Sequence, residues 1–534
     1  MSATKESPSA TIDTAKAECE HYDALPTEDH DDRSFWQICK ENPAIIGYAI
    51  CANFGPLLFG YDGLALGVII ALPAFSFDFG EPFGDGLLIP ALWQGLWTAG
   101  NQIGIMIGAG ANGYLQDRFG RKPMIFVGWA IATLSVALGY TSYMPDSYAG
   151  RRTLLLMAKI IVGLGMGILM STCQTYVSEI APVKIRGMLL GIYTLVLVIG
   201  QTIAVSVVFS RIAIMDRSAY LVPIALQWMF AGLVFIGAVF IPESPSFLIS
   251  KGRVEEAARS FDRLYGKGER STNNLNNLIA TVAHEQQQEN NKDVRFMELF
   301  QGTNFRRTRI VWLLNITQQF TGISLLANAT YFLIQAGMNP AQSLEINQIG
   351  ISLSIPCILL SYYTMQKFGR RFIILASMIT ITVLFIGMGV AGLFPNDKTA
   401  LKFVGVTLLL IGFVGALGLN PAYNVVASEV SSVRLRARTL SSGFVIYALA
   451  SWVFSFTVPY MFNPDAGNLS AKVGWVFVGL GTIGVVLVWF EVPETRNKSY
   501  AQLDLLFERK TKTRDFKRKM DEELSVPVGK EDVV

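Results

Sequence analysis

Charge is scarce in this sequence. Of its 534 residues only 16% are charged, whereas 51% are hydrophobic, and soluble domains carry roughly a quarter charged residues. The formal net charge is +3, which gives no case for nucleic acid as a partner. The composition therefore excludes an ordinary soluble protein and indicates one that lies in a lipid bilayer.

Histidine and cysteine are also rare. The three histidines, His21, His30 and His284, lie in polar stretches, so a histidine proton relay inside a membrane is excluded. The five cysteines have no CxxC spacing, which supports neither a disulfide framework nor a metal site. Metal-spaced ligands, a nucleophile elbow and a phosphate-binding glycine loop are missing too. We therefore expect no enzyme and no cofactor.

The first 42 residues lack the basic start and short apolar core of a signal peptide. They are polar and acid-rich, with Glu28, Asp29, Asp31 and Asp32 in quick succession. Such a composition is typical of a disordered tail, and we expect residues 1–43 to form one in the cytosol.

Long apolar runs are abundant. A helix needs about 20 apolar residues to cross a bilayer, and about twelve runs qualify, six before a polar central stretch and six after it. They lie near 44–66, 91–113, 123–143, 153–175, 188–209, 221–241, 310–334, 346–366, 372–394, 402–425, 440–461 and 473–491. We number them spans 1 to 12. The predicted fold is an all-α membrane protein with twelve transmembrane helices in two six-helix pseudo-repeats.

The expected parts of the chain follow from these runs. They are the tail 1–43, a first half 44–241, a linker with short helices 242–309, a second half 310–491 and a tail 492–534. Lysine and arginine concentrate in one set of short loops, and such loops face the cytosol. Both termini and the linker are therefore predicted to be cytosolic. Arg151, Arg152, Arg211 and Arg217 on the other side are exceptions to this bias.

Two motifs occur once in each half. Residues 117–122 (DRFGRK) match residues 366–371 (QKFGRR), and Ser178-Glu179 with its following cations matches Ser428-Glu429. A glycine turn flanked by cations, with a glutamate at a helix end, can cross-link helices at the cytosolic face. The alternative is that the cations only enforce topology, but the repetition favours a latch. The candidate gating residues are Asp117, Arg118, Gly120, Arg121, Glu179, Arg186, Gly369, Arg370, Arg371, Glu429, Arg434 and Arg436.

Several stretches, in this order, resemble the sugar porter family of the major facilitator superfamily, over nearly all of the chain past residue 43. They are 59–62 (FGYD), 117–122, 176–179 (YVSE) with 186–187 (RG), 242–245 (PESP), 318–323 (QQFTGI), 369–371 (GRR) and 493–496 (PETR). Gly200-Gln201, residues 428–439 and residues 459–464 look like the fungal branch that includes α-glucoside (maltose) permeases. The resemblance implies a plasma-membrane sugar importer, often driven by protons.

The sequence departs from that family at four positions. Ser324 stands where many sugar porters carry asparagine, Asn424 where glucose carriers have tryptophan, and Thr194 in the place of a common sugar-binding glutamine. These three leave the identity of the sugar open. Gln366 replaces the usual acid in the second cytosolic turn and bears on gating only.

Only two charges fall well inside the apolar runs, Asp62 on span 1 and Lys159 on span 4. A charge there costs about 2.5–3.5 kcal/mol on insertion scales, so each is a functional hypothesis. Both are expected in the outer half of the bilayer, where they can pair. The resemblance implies that Asp62 takes up the proton and that Lys159 occupies the place of its arginine partner. The alternative is a permanent ion pair that locks two helices together.

Neutral polar side chains on apolar spans are the candidates for sugar binding, because amides supply both donors and acceptors. They are Gln318, Gln319, Ser324 and Asn328 on span 7, Tyr423 and Asn424 on span 10, and Thr194 and Gln201 on span 5. The alternative is hydrogen bonding between helices. The family motif favours sugar contact for Gln318 and Gln319, whereas Asn328 and Gln201 remain open.

The sequence thus predicts a monomeric, multi-pass secondary active transporter that imports a sugar, a hexose or an α-glucoside such as maltose, by proton symport with alternating access. A facilitative uniporter, a sugar sensor and a carrier of another polyol or a secondary metabolite are the alternatives. The amphipathic run 254–264 of the linker is predicted to form a helix that bears on both arginine-rich turns when the inner gate is shut.

Overall fold

The computed structural model of the chain describes residues 40–516. Within that range it leaves out residues 84–85, 182, 267–274, 277, 280–281, 283–295, 395–396, 433–434, 497–502, 504–505 and 510. It describes only the backbone of residues 183–184, 186–188, 190–191, 296, 362, 366, 424 and 436–438.

The first half contains spans 1 to 6. Span 1 is Pro43–Ala52 with Phe54–Ile69, span 2 is Ala91–Phe119, span 3 is Arg121–Tyr140, span 4 is Tyr148–Ile180, span 5 is Val183–Phe209 and span 6 is Ser218–Phe240. A short helix, Pro73–Phe79, and an antiparallel hairpin, Glu81–Phe83 paired with Gly86–Leu88, connect spans 1 and 2. We call the end of the bundle that carries this connection the hairpin face.

The second half contains spans 7 to 12. Span 7 is Gly302–Phe320, Ile323–Ala327 and Ala329–Gln335; span 8 is Pro340–Phe368; span 9 is Arg370–Ala391; span 10 is Lys398–Val414, a π-helical segment Gly415–Leu419 and Asn420–Val430; span 11 is Arg436–Phe462; and span 12 is Val473–Glu491. Short helices occur at Thr141–Tyr143, Pro245–Ser250, Val254–Tyr265, Phe296–Phe300, Ser470–Lys472 and Thr513–Asp515. The end of the bundle that carries the Gly120 and Gly369 turns is called the basic face.

The predicted twelve-helix fold is confirmed. In the described part of the chain, ten helices are long and apolar enough to cross a membrane by themselves. Spans 2 and 7 are the other two. Span 2 is interspersed with buried polar residues such as Gln94 and Asn112, and span 7 is divided into three pieces.

The break in span 7 differs from the single run predicted over 310–334. Gly322 has φ +78°, a left-handed conformation that glycine adopts without strain. A Cβ atom at Gly322 would lie 2.5 Å from the ring of Phe385. The glycine therefore allows span 7 to turn against span 9, and the turn falls within the polar stretch that contains Gln319 and Ser324.

Glycines set how closely the spans of the first half approach. A Cβ at Gly104 on span 2 would lie 2.2 Å from the carbonyl oxygen of Ile160, and one at Gly163 on span 4 would lie 2.2 Å from that of Asn101. Spans 1 and 5 cross in the same way at Gly60 and Gly200. Small residues let membrane helices pack backbone to backbone, so these glycines are packing residues.

The two halves are joined towards the hairpin face. Between described residues, four hydrogen bonds cross from one half to the other, and all lie on this side. They are Ala91 N to Asp465 Oδ2 (2.9 Å), Thr98 Oγ1 to the Ser455 carbonyl (2.9 Å), Asn463 Nδ2 to the Ile89 carbonyl (3.0 Å) and Gln348 Nε2 to Ser206 Oγ (2.9 Å). The bundle is therefore closed between its halves at the hairpin face.

Candidate functional site

A buried ion pair links spans 1 and 4. Nζ of Lys159 lies 2.7 Å from Oδ1 of Asp62, and the two side chains are 10% and 2% exposed. Burying an ion pair is favourable only where its geometry is good and the remaining polar atoms are hydrogen-bonded. The structure thus brings together the two charges that the sequence places inside apolar runs.

Gln227 on span 6 completes this group. Its Nε2 donates to the same Oδ1 of Asp62 at 3.1 Å. One turn earlier, the carbonyl of Pro223 accepts a hydrogen bond from the hydroxyl of Tyr61 at 2.8 Å, which fixes span 6 against span 1. The sequence analysis missed Gln227, although the rule that selects amides on apolar spans would have found it.

Asp62, Lys159 and Gln227 line a cavity of about 30 Å³ inside the first half. Its other walls come from spans 1, 3, 4 and 6 and include Ser135. The cavity lies within one half and not between the halves. Its size and the polar groups in its lining satisfy what a buried water needs, so a water molecule has room beside the carboxylate.

Aromatic rings separate this cavity from the hairpin face. Phe75, on the short helix Pro73–Phe79, lines the cavity. It stacks on Phe79 with ring centroids 4.4 Å apart and makes edge contacts with Trp97 and Tyr220. All four rings are fully buried. The short helix therefore plugs the outer end of the first half.

A charged clamp holds the plug in place. Asp78 accepts from Arg151 Nη1 at 2.9 Å, from Arg217 Nε and Nη2 at 3.0 Å each, and from the hydroxyl of Tyr220 at 2.6 Å. Burial alone would raise the pKa of the Asp78 carboxyl, but the hydrogen bonds from Arg217 and Tyr220 and the charges of both arginines lower it below its usual value. Arg151 and Arg217 depart from the predicted concentration of cations in the loops of the other face, and the Asp78 carboxylate balances their charge.

The polar stretch of span 7 forms a second group of candidate residues. Gln319 is fully buried, and its Oε1 accepts from Ser324 Oγ at 3.1 Å across the Gly322 turn. Gln318 Nε2 donates to Asn420 Oδ1 on span 10 at 3.4 Å. Nε2 of Gln319 and the hydroxyl of Tyr423 are buried and make no hydrogen bond of good geometry among the described residues, although the hydroxyls of Tyr447 and Thr317 are polar neighbours of these two groups. Such unpaired buried donors are uncommon and call for an explanation.

The remaining candidates for sugar binding are more scattered. Asn328 is buried where spans 1 and 7 meet. Its Nδ2 donates to the Ser324 carbonyl at 3.0 Å, and its Oδ1 lies 3.8 Å from where a Cβ on Gly67 would be. Thr194 and Gln201 are half-buried on span 5 and make no hydrogen bond through their side chains among the described residues. The side chain of Asn424 lies outside the described atoms.

The glycine turn at the basic face of the first half is held by two carboxylates. Arg121 pairs with Glu179 Oε1 through Nη2 at 2.7 Å and Nε at 3.2 Å. Glu243, which follows span 6, accepts the backbone N–H groups of Arg121 and Lys122 at 2.9 and 3.2 Å. Gly120 has φ +100°, so glycine is required at this turn.

The turn of the second half repeats this arrangement. Arg370 Nη2 pairs with Glu429 Oε1 at 3.0 Å. Glu494, which follows span 12, accepts the backbone N–H groups of Arg370 and Arg371 at 3.0 and 3.2 Å, and Gly369 has φ +87°. Glu243 and Glu494 were not predicted to hold these turns, although both lie in stretches that carry the family resemblance, 242–245 and 493–496.

Other candidate gating residues are less involved or not described. Asp117 is 72% exposed and lies 3.5 Å from Arg121, and Arg118 lies over the neighbouring Phe119 ring at 5.5 Å. Arg434 lies outside the described residues, and so do the side chains of Arg186 and Arg436.

The linker contacts the first turn. The guanidinium of Arg121 lies 5.1 Å from the ring of Phe247, and Ser260 on the helix Val254–Tyr265 donates to the carbonyl of Glu243. The second turn is held by Glu494 instead. In this arrangement the two turns are thus stabilised by separate segments, whereas the sequence predicts that run 254–264 bears on both when the inner gate is shut.

Comparison with known families identifies the protein class. Residues 48–507 match the family described as sugar (and other) transporter. The chain belongs to this family. A multi-pass membrane protein of this transporter family accords with the twelve spans, and the predicted resemblance to sugar porters is confirmed.

Curated relatives in the family are fungal transporters. The chain is 30% identical over 476 residues to the MFS transporter fmqE of Aspergillus fumigatus, which covers 89% of this chain and 87% of that protein. It is 27% identical over 490 residues to the general alpha-glucoside permease of Saccharomyces cerevisiae, covering 90% and 78%. These relatives are permeases and transporters and not enzymes, which confirms that prediction.

Solved structures of sugar transporters share the fold. The inward open xylose transporter XylE from E. coli superposes with a TM-score of 0.71 at 22% identity, covering 86% of this chain and 99% of XylE. The partially occluded inward open form of XylE also gives a TM-score of 0.71, at 21% identity. The major facilitator architecture of this sugar (and other) transporter family member is therefore established.

Proposed function

We propose that this protein imports a sugar across the plasma membrane by proton symport, with Asp62 as the proton-carrying group. The observation that supports this most directly is the buried group of Asp62, Lys159 and Gln227. Nζ of Lys159 lies 2.7 Å from the Asp62 carboxylate, so this ion pair joins spans 1 and 4. Proton uptake by Asp62 would release Lys159, so protonation and the packing of spans 1 and 4 are coupled.

The orientation of the bundle follows from its charges. We take the basic face as cytosolic, because arginine and lysine concentrate in its short turns. Both tails and the linker 242–309 then lie in the cytosol. Because the halves are joined at the hairpin face, the described arrangement is the inward-facing state of an alternating-access cycle.

The substrate is proposed to bind beside the broken part of span 7. Discontinuous helices commonly form transporter binding sites. Nε2 of Gln319 and the hydroxyl of Tyr423, which lack a hydrogen bond of good geometry among the described residues, are neutral groups of the kind that sugar hydroxyls satisfy. Gln318 and Asn420 supply a further neutral amide pair between spans 7 and 10. The proposed cargo is a hexose or an α-glucoside, and the Saccharomyces relative, named a general alpha-glucoside permease, supports the second.

Radiolabelled sugar uptake in a host that lacks its own sugar carriers tests the proposal. We expect accumulation against a gradient at acidic external pH, and its collapse when a protonophore is added. Asp62→Asn should abolish accumulation but retain sugar exchange, because a neutral amide cannot carry the proton. Asp146→Asn, which removes an exposed acid at the hairpin face, is the matched control. Undiminished, pH-dependent accumulation by Asp62→Asn would rule out proton coupling through this carboxylate.

A competition panel separates the classes of substrate. Maltose and other α-glucosides, hexoses and polyols would each be tested as unlabelled competitors of labelled-sugar uptake. In the Gln319→Leu variant, the competitor that inhibits uptake most strongly should lose the most affinity. This substitution removes the Nε2 donor while keeping a buried side chain of similar size. If no sugar competes and none accumulates, the cargo belongs to another chemical class.

A further inference from the structure

At the basic face, two cations from other segments lie against the last turn of the sixth span in each half. In the first half, Lys122 Nζ donates to the carbonyl of Val239 at 3.0 Å and Arg263 Nη2 to that of Phe240 at 3.2 Å. In the second half, Arg371 Nη2 donates to the carbonyl of Trp489 at 2.7 Å. The guanidinium of Arg514 lies 5.0 Å from the ring of Phe490 and 5.5 Å from that of Trp489.

The two pairs correspond to each other. Lys122 and Arg371 occupy the same place in the glycine turns. Arg263 and Arg514 come from the segments that follow spans 6 and 12, and both are exposed. Two unrelated stretches of chain therefore deliver a second cation to matching positions. The general enrichment of cations in the loops on one side of a membrane does not explain such a match, because a cation anywhere in the loop would satisfy that enrichment.

The surroundings of both pairs are apolar and outward-facing. Phe240 is 59% exposed and Phe490 is 60% exposed, and Val239 and Trp489 next to them are also exposed. In a membrane protein, such side chains at a span end face lipid, and tryptophan is enriched at the level of the headgroups. The four cations thus lie where the phosphates of one leaflet lie.

The positive charge of each pair is only partly balanced within the described structure. Lys122 and Arg263 repel each other, and so do Arg371 and Arg514. Glu243 attracts Lys122 and Glu494 attracts Arg371, but one carboxylate against two cations leaves each pair with a net positive charge. No described carboxylate lies within ion-pair distance of these four cations, and Nε of Arg371 is buried without a partner.

We propose that each cation pair binds the phosphate group of one anionic phospholipid, so that the transporter carries two equivalent lipid sites in the leaflet at the basic face. A phosphate would lie between the two cations, where guanidinium groups match its geometry. The acyl chains would pack along the exposed side chains of Phe240 or Phe490. Helix C-terminal capping explains Lys122, Arg263 and Arg371 in part, whereas the described contacts of Arg514 are with the rings of Trp489 and Phe490, so its N–H donors are available to a phosphate.

Lipid binding to the purified full-length protein tests the sites. The probes are phosphatidylserine and phosphatidylcholine, counted per protein by native mass spectrometry over a range of added lipid. Arg263→Gln and Arg514→Gln each remove the exposed cation of one site. Lys512→Gln is the control, because it removes an exposed charge from the same segment that makes no described contact.

We expect two tightly bound phosphatidylserine molecules in the unmodified protein. Arg263→Gln and Arg514→Gln should each weaken one of them roughly fivefold, and the double variant should weaken both. Lys512→Gln should change neither. Phosphatidylserine should also raise the melting temperature of the unmodified protein more than that of the double variant. Both proteins are first shown to be folded without added lipid.

Three results would overturn the proposal. Equal binding of phosphatidylcholine would show that the headgroup charge is irrelevant. An equal loss with Lys512→Gln would indicate a diffuse attraction without a site. Full displacement of the lipid by millimolar inorganic phosphate would identify a free anion as the ligand.

Discussion

Gln227 and Lys159 donate to the same oxygen of Asp62, at 3.1 and 2.7 Å. One carboxylate oxygen thus receives an amide from span 6 and an ammonium from span 4. A hydrogen bond to a charged group contributes about 1.5–3 kcal/mol. The amide therefore contributes to holding the Asp62 carboxylate in place beside Lys159.

Replacement of Gln227 should reduce concentrative uptake. Gln227→Leu takes one of two donors from Oδ1 of Asp62, and the loss of a hydrogen bond to a charged group, about 1.5–3 kcal/mol, should lower sugar accumulation about tenfold. The measurement is sugar accumulation at a fixed acidic external pH. The substrate concentration for half-maximal uptake should stay unchanged, because the cavity lies within one half. Undiminished accumulation by Gln227→Leu would show that the amide does not support Asp62.

Sequence reasoning found the charged members of this group and missed the neutral one. Asp62 and Lys159 stand out because a charge in an apolar run is expensive, whereas an amide such as Gln227 is common in membrane helices. Glu243 and Glu494 were missed for another reason. They act on backbone N–H groups more than 120 residues away in sequence, and no local pattern reveals such a contact.

The break in span 7 also could not be read from periodicity. The apolar run over 310–334 continues through Gly322, and glycines inside a run are often only packing residues. What decides the conformation is the ring of Phe385, which leaves no room for a side chain at Gly322. By contrast, the apolar runs were predictable because most spans are by themselves long and apolar. The paired turns were predictable because the sequence FGR occurs at the corresponding place in each half.

The clamp at Asp78 should make stability depend on pH at the acid end. The pKa of the folded Asp78 is lowered, so its contribution is complete above the unfolded value of about 4 and is lost as the pH falls through the folded value. Asp78→Asn should reduce the free energy of unfolding by about 3 kcal/mol at neutral pH. The variant should also lose less stability than the unmodified protein on acidification.

Thermal unfolding of the purified protein between pH 3 and pH 7 measures this effect. Asp146→Asn on the same face is the control, because its side chain is exposed and should leave both the melting temperature and its pH dependence unchanged. Parallel curves for Asp78→Asn and the unmodified protein would show that Asp78 does not titrate in the clamp.

Gly60 and Gly63 on span 1 form a test residue and a control for the crossing of spans 1 and 5. A Cβ at Gly60 would lie 2.0 Å from the carbonyl oxygen of Leu197, whereas Gly63 has open space around it. Gly60→Ala should destabilise the protein by about 1–3 kcal/mol through overpacking, and it should reduce the amount of folded protein in the membrane. Gly63→Ala should be neutral. Fluorescence-detected size-exclusion chromatography with heating compares the two, and equal melting temperatures would contradict the crossing.

The two latches at the basic face should differ in strength. Glu179 accepts two hydrogen bonds from Arg121 and a third from Ser244. Glu429 accepts one from Arg370, and its other oxygen is buried without a described partner. Glu179→Gln should therefore lower the free energy of unfolding by about 3 kcal/mol, and Glu429→Gln by about half as much, because fewer bonds are lost.

Double-mutant cycles isolate the two pairs. The Arg121–Glu179 coupling energy should exceed the Arg370–Glu429 coupling energy, because Arg121 reaches Glu179 through both Nε and Nη2 while Arg370 uses one nitrogen. Thermal unfolding supplies the stabilities, and sugar uptake by the same variants reports on gating. If the first half depends on the Arg121–Glu179 pair more than the second half depends on the Arg370–Glu429 pair, sugar uptake should fall further for Glu179→Gln than for Glu429→Gln. Equal coupling in both halves would mean that backbone contacts to Glu243 and Glu494 stabilise the turns and that the arginine pairs are secondary.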